Sequence, residues 1–212
     1  MKPSDTTLAR TGGQLLIDAL KVHGVDHVFG VPGESYLAAL DAFYGATEKI
    51  KFVICRQEGG AAYMADAYGK LTGRPGICFA TRGPGATNAS LGIHTAYQDS
   101  TPVILFIGQV GTDFIEREAF QEIDFRRMYG QMAKWVAQID RADRVPEYVH
   151  RAFHTAVSGR PGPVVLALPE DMLTETAAVA DTAPYKRVAA HPGEADLRKL
   201  RELLAQSKRP FV

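Results

Sequence analysis

The chain is poor in the residues that would tie it to several large classes of protein. It has two cysteines in 212 residues, too few for the multiple disulfides on which small secreted scaffolds depend. Both, Cys55 and Cys78, sit inside apolar runs, where a free thiol behaves as a small buried hydrophobe. Core packing is therefore expected of them rather than a disulfide or thiol catalysis. Charge of either sign is not in excess, since Lys plus Arg and Asp plus Glu stand at 24 each. No net field draws the protein to nucleic acid or to an anionic membrane surface. No run approaches the ~20 apolar residues of a membrane span, and the opening MKPSDTTLAR lacks the apolar stretch of a secretory signal. A soluble, cytoplasmic protein with neither a nucleic-acid nor a membrane partner is expected. The histidines show no zinc-like pairing with cysteine, and His150 and His154 share a helix face without a third ligand nearby, so no metal ligand is assigned. Internal repeats and low-complexity tracts are also lacking.

What is present is hydrophobic, 46% of the residues, enough to bury one sizeable core. It comes in short runs: HVFGVP at 27–32, KFVICR at 51–56, GICFATR at 76–82, VILFIGQV at 103–110, WVAQI at 135–139 and PVVLALP at 163–169. Continuous apolar runs of this length suit strands covered on both faces. Between them lie segments with helix signals: Thr11 to His23, closed by Gly24, then Ser35 to Ala46, Glu58 to Leu71, Gly85 to Tyr97 and Arg144 to Val157. Strict alternation of strand and helix implies right-handed crossovers. The expected fold is α/β, a doubly wound, six-stranded, mostly parallel sheet with helices on both faces.

The stretch from Gly111 to Gly130 has no readable period, and a long connection of this kind in a compact domain is often functional. After Pro169 the composition turns to Ala, Thr and Pro. The organisation read from this is one domain over residues 1–175, followed over 176–212 by a linker and the start of a truncated further domain. That start comprises an amphipathic helix with Leu197, Leu200, Leu203 and Leu204 on one face and a strand opening at Phe211-Val212.

Ligands of an open parallel sheet bind at the carboxyl ends of its strands, so the residues just after each run carry most weight. Glu58 follows one run directly and opens a helix whose next residues, Gly59, Gly60, Ala61 and Ala62, let a ligand approach the backbone. Partial desolvation there would suit a carboxyl group that shares a proton with a weak nitrogen base. A glutamate that merely favours the helix dipole from water is the plainer alternative. Gly83-Pro84-Gly85-Ala86-Thr87-Asn88 superficially matches the dinucleotide fingerprint, but Asn88 replaces its third glycine and Pro84 removes an amide donor. The next strand ends in Gln109 where a ribose-binding acid is wanted. The Arg126-Arg127 pair reads as surface charge, and Arg160 as surface charge or a cap on the preceding helix.

Six segments taken together, VFGVPGE, RQEGGAAYMADAYGKLTG, TRGPGATNASLGIHTAYQDSTPVI, GQVGTD, AFQEIDF and SGRPGPVVLALPED, resemble in order and spacing the amino-terminal domain of acetolactate synthase. The resemblance covers residues 11 to 173. It implies a six-stranded parallel sheet that binds the aminopyrimidine ring of thiamine diphosphate, with Glu58 as the carboxyl group that activates the cofactor. It further implies Pro32 and Gly33 at the cofactor loop, Thr81, Pro84 and Asn88 near the pyrimidine, Gln121 facing the reacting centre, and Phe120 as an apolar wall. The reaction implied is decarboxylation and carboligation of a small 2-keto acid, the work of a transferase or lyase. Magnesium would come through a later domain that this chain lacks, FAD is a further option in the full-length protein, and the full-length chain would be a homodimer or tetramer. The 212 residues alone are expected to be inert. Two departures from the family bear on the substrate: Glu34-Ser35 stands where acetolactate synthases carry a small, apolar pair, placing a different surface at the mouth of the site, and Gln57 stands where many relatives have histidine. Other decarboxylating or acyl-transferring relatives share this domain. A nicotinamide-dependent oxidoreductase using the GPGATN turn, and an interaction module that keeps the fold without chemistry, are the alternatives from other classes.

Overall fold

The computed structural model describes residues 8–211; the polar opening up to Thr7 and the strand opening expected at Val212 lie outside the described residues. Phe211 has no regular structure. The described elements run β1 (Arg10–Thr11), α1 (Gly12–Val22), β2 (His27–Gly30), α2 (Leu37–Tyr44), β3 (Lys51–Ile54), α3 (Glu58–Thr72), β4 (Gly76–Ala80), α4 (Pro84–Gln98), β5 (Val103–Gln109), α5 (Phe125–Tyr129), β6 (Trp135–Gln138), α6 (Val145–Val157), β7 (Val164–Pro169), α7 (Glu170–Thr174), β8 (Thr176–Ala177) and α8 (Glu194–Gln206).

Six strands form one sheet in the order β3-β2-β4-β5-β7-β6, and every pair in it is parallel. Side chains alternate between its faces, as period 2 demands. Ile77 and Phe79 of β4, Ile104 and Phe106 of β5, and Val164, Leu166 and Leu168 of β7 pack with α1, α2 and α6. Their neighbours Cys78, Ala80, Val103, Leu105, Ile107, Val165 and Ala167 pack with α3 and α4. Helices therefore cover both faces. The antiparallel component is separate: β1 pairs β8 in a two-stranded ribbon, Arg10 opposite Ala177 and Thr11 opposite Thr176.

The local signals explain where the helices start. Thr11 closes a capping box on α1, accepting from the Gln14 amide at 3.2 Å while its own amide donates to Gln14 Oε1 at 2.9 Å. Pro84 opens α4, where its missing N–H costs no helix hydrogen bond. Cys78 is fully buried and its thiol is pushed up by burial, while Cys55 is half-buried; both are free. Beyond residue 175 the chain stays on the domain for a further stretch. Val179 O accepts from Arg10, the Tyr185 amide donates to His23 Nδ1 at 3.1 Å, and the Tyr185 ring packs on Phe153. Helix α8 then stands off, with Leu197, Leu200, Leu203 and Leu204 all exposed. Among the described residues no helix is long and apolar enough to cross a membrane.

Candidate active site

The chain runs from β2 outward to β3, then crosses back over β2 to β4, which pairs with β2 on its other side. The strand order reverses there, and the crevice beyond the carboxyl ends of β2 and β4 is where an open α/β sheet takes its ligand. Glycine-rich helix starts surround it. Gln57 caps α3, its Oε1 accepting from the Gly60 amide at 2.9 Å, so the helix begins at Glu58 and the carboxylate sits at its N-terminus.

Glu58 is half-buried rather than fully hydrated. Its Oε2 accepts from Asn88 Nδ2 at 3.0 Å. Its Oε1 lies over Gly85, where an added Cβ would stand 3.2 Å from that oxygen and 2.8 Å from Thr81 Cγ2. Two residues of the GPGATN turn therefore shape the surroundings of Glu58. The turn itself requires glycine at Gly83, whose φ of 57° and ψ of −115° a side chain would strain. The long connection closes over it: a Cβ at Gly83 would meet Gln121 Cβ at 2.6 Å. Gly83, Pro84, Thr87, Asn88, Gln121 and Ile123 line a cleft of about 480 Å³.

Of the residues the sequence nominated, Pro84, Asn88 and Gln121 line this cleft, and Glu58 does not line it but meets it through Asn88. Gly33 and Thr81 form the adjoining wall, with an added Cβ on Gly33 only 2.5 Å from Thr81 Cβ. Thr81 Oγ1 is paired with Ser35 Oγ at 2.7 Å. Among the described residues the cleft lining includes none of Pro32, Gly33 and Thr81; Pro32 is exposed. Ser35 is not at the mouth of the site. It is fully buried, accepting from the Arg82 amide at 3.2 Å, and a Cβ at Gly108 would fall on its hydroxyl. Phe120 is 71% exposed, so any apolar wall it makes awaits something to cover it. A second cavity of about 210 Å³ lies across the loop between Gln109, Glu122, Arg126 and Gln138; it holds none of the groups around Glu58.

The connection after β5 is held by interactions that no period in the sequence announces. The Glu122 carboxylate accepts from the amides of Glu116 at 2.6 Å and Ala119 at 3.0 Å. Gln109 Nε2 donates to Ile123 O at 2.8 Å. Arg82 Nε donates to Phe120 O at 3.1 Å. Arg82 went unassigned in the sequence, although a charged residue at the carboxyl end of a strand as apolar as β4 was a signal in plain view.

A parallel sheet with small-residue helix starts at its switch point and an acid between them defines a cofactor-binding α/β domain. Residues 10–128 match the family described as thiamine pyrophosphate enzyme, N-terminal TPP binding domain. More than half the chain is matched, and the chain belongs to that family. It is 39% identical over 210 residues to acetolactate synthase of Arthrospira platensis, covering 95% of this chain and 36% of that protein. It is 38% identical to the probable acetolactate synthase large subunit of Methanocaldococcus jannaschii, covering 95% and 35%, and 35% identical to acetolactate synthase isozyme 2 large subunit of Escherichia coli, covering 95% and 36%. The chain thus spans about a third of the length of these relatives. The nicotinamide reading loses its footing, because the matched family includes the GPGATN turn and Asn88, where a third glycine was wanted, is engaged by Glu58.

Proposed function

We propose that this chain supplies the pyrimidine-binding half of a thiamine diphosphate site, in an enzyme that acts on 2-keto acids by decarboxylation and carboligation. The observation that carries the reading is the state of Glu58: one carboxyl oxygen tied to Asn88, the other turned over Gly85 at the switch point of the sheet. Thiamine diphosphate, when bound, supplies the electron sink for cleaving the bond beside a carbonyl. The residues present fit such a group. Gly60 opens onto free space, with nothing within 4 Å of an added Cβ, so a flat ring has room to approach the start of α3.

The work of the protein is then to hold one proton in place. With Oε2 occupied by the Asn88 donor, Oε1 is the carboxyl oxygen left to carry the proton exchanged with a ligand. Asn88 also fixes the rotation of the carboxyl group, so Oε1 presents that proton in one direction, toward a ring nitrogen too weak to take it from water. Gln121, across the cleft, carries an amide that can donate to or accept from the substrate. On this reading the diphosphate and magnesium belong to a later domain, FAD is a further option for the full-length protein, and a homodimer or tetramer in the cytoplasm completes the site. Glu34, whose carboxylate is paired with Arg82 at 3.0 Å, departs from the family's small, apolar pair, which favours testing several keto acids and acyl donors beside pyruvate.

The test is carbon dioxide release from pyruvate by the full-length protein with thiamine diphosphate and magnesium, comparing Glu58→Gln with the parent. Removing the acid at constant size should lower turnover by about 10²–10⁴. Equal turnover in both proteins would remove Glu58 from the mechanism. Inactivity of both toward every keto acid tried would remove the substrate class.

A further inference from the structure

One side chain bridges the carboxyl ends of β2, β4 and β7, and the chemistry proposed above makes no use of it. Arg82 is 9% exposed. Its Nε donates to Phe120 O at 3.1 Å, one terminal nitrogen donates to Glu34 Oε1 at 3.0 Å, and the other donates to Glu170 Oε1. A planar guanidinium with five N–H donors can hold three directions at once, which an ammonium on a flexible stem cannot do with fixed geometry. Two carboxylates offset the cost of enclosing the cation. They come from segments far apart in the chain, the turn after β2 and the start of α7, and the third partner comes from the connection after β5.

The bond to Phe120 matters because the next residue in the chain is Gln121. That residue has φ +64°, a left-handed conformation that is unfavourable for a residue bearing a side chain and persists only where the surroundings impose it. Its backbone is pressed against Gly83 from one side and held through Phe120 O by Arg82 from the other. Without the guanidinium the segment keeps the Glu122 contacts to Glu116 and Ala119 and the Gln109 bond to Ile123 O, but loses the hold on Phe120 O, the residue before Gln121.

We propose that Arg82 is a positioning residue: with Glu34 and Glu170 as its counter-charges, it fixes the Phe120-Gln121 segment over the cleft beside Glu58 and so sets how well the site takes its keto acid. The part concerning substrate rests on the functional reading of Gln121 given above; the part concerning the loop does not.

The experiment uses the full-length protein with Arg82→Gln, Arg82→Lys and Glu34→Gln. It reads amide hydrogen exchange at Glu116, Ala119 and Glu122, the Kd for thiamine diphosphate, and KM and kcat for the keto acid. Loss of a charge-assisted hydrogen bond predicts exchange about tenfold faster or more in Arg82→Gln, with no rescue by Arg82→Lys. The KM should rise about tenfold while the cofactor Kd stays within about threefold, a split that general loosening of the domain would not give. In a Gln121→Ala background the KM effect of Arg82→Gln should vanish. Unchanged exchange overturns the proposal whatever the kinetics, and a KM effect additive with Gln121→Ala overturns its substrate part. Should Arg82→Gln fail to fold, Glu34→Gln, which keeps the arginine, decides by the same exchange readout, with a smaller increase expected and none overturning the idea. Full turnover in Glu58→Gln would instead sink the functional reading, with the exchange result still judging Arg82.

Discussion

The two faces of the sheet are covered by different kinds of residue. Under α1, α2 and α6 the core is large: Leu15, Leu16, Leu20, Tyr36, Phe43, Phe79, Phe106 and Phe153 are buried together. Phe79 stacks on Phe106 with centroids 4.8 Å apart and meets Phe43 edge-on at 5.3 Å. The faces that α3 and α4 themselves turn inward are mostly small, with Ala61, Ala62, Ala65, Ala86, Ala89 and Ala96 beside Ile93, while Phe29, Phe125 and Tyr129 add bulk elsewhere on that side. A buried aromatic ring contributes several times the burial free energy of an alanine methyl, so the first face carries most of the stability. The second face contributes less but lets two helices approach closely, and those helices begin with Glu58 and carry Asn88, whose side chains meet at 3.0 Å. Bulk stabilises this domain; smallness positions its acid.

The sharpest way to separate the two roles is to damage each face in turn. Phe153→Ala, at a fully buried position on α6, should cost about 4 kcal/mol in urea denaturation. The folded full-length protein should keep its kcat, since the cavity opens on the side of the sheet away from Glu58. Gly92→Ala should do the reverse. Helix propensity alone predicts a gain of about 1 kcal/mol for that change. The added Cβ, however, would stand 2.5 Å from Ala62 Cβ and 2.7 Å from the Ala62 carbonyl carbon, and backbone cannot yield as a side-chain tip can. Overpacking should win, for a net loss of about 2–3 kcal/mol, with turnover falling further than stability because α3 and α4 are wedged apart. Unchanged turnover in Gly92→Ala would mean that helix spacing does not set the Glu58–Asn88 contact.

Much of this division was legible in the sequence. Six apolar runs became six strands, all parallel, and the small residues after Glu58 became the close-packed start of α3. Period and composition are local, and local signals report which residues face a core. They do not report partners. The ribbon of β1 with β8 joins residues 165 and 167 positions apart and is too short to show alternation. Arg160 reads as surface charge or as a cap on the helix before it; it is exposed, and the end it serves is that of α4, where it donates to Ser100 Oγ at 2.6 Å and Gln98 O at 2.9 Å. Ser35, expected at the mouth of the site, was drawn inward by Thr81, Arg82 and the space left at Gly108. The connection from Gly111 to Gly130 stayed unreadable because a carboxylate, an amide and a guanidinium hold it in place of a repeating apolar face.

Acid offers the smallest and most selective test of the contrast, because one titratable group sits inside the large-residue face. His23, 5% exposed, packs on Phe153 with centroids 4.5 Å apart and accepts the Tyr185 amide on Nδ1. Burial holds its imidazole down at about 4, with repulsion from His150 and His154 adding to the effect. In the unfolded chain the same ring titrates near its ordinary 6.5. Above that value both states are neutral and the group adds no pH dependence. As pH falls from 6.5 toward 4 the unfolded state takes up the proton first, so stability is progressively lost, on the order of 3 kcal/mol in all. Protonation at Nδ1 also removes the acceptor for Tyr185, so the segment after β8 should loosen over the same range. His23→Phe, which keeps a ring against Phe153 and cannot titrate, should flatten the slope of denaturation free energy between pH 6.5 and 4. An unaltered slope would place the acid sensitivity elsewhere, and the large-residue face would then be as indifferent to pH as its phenylalanines.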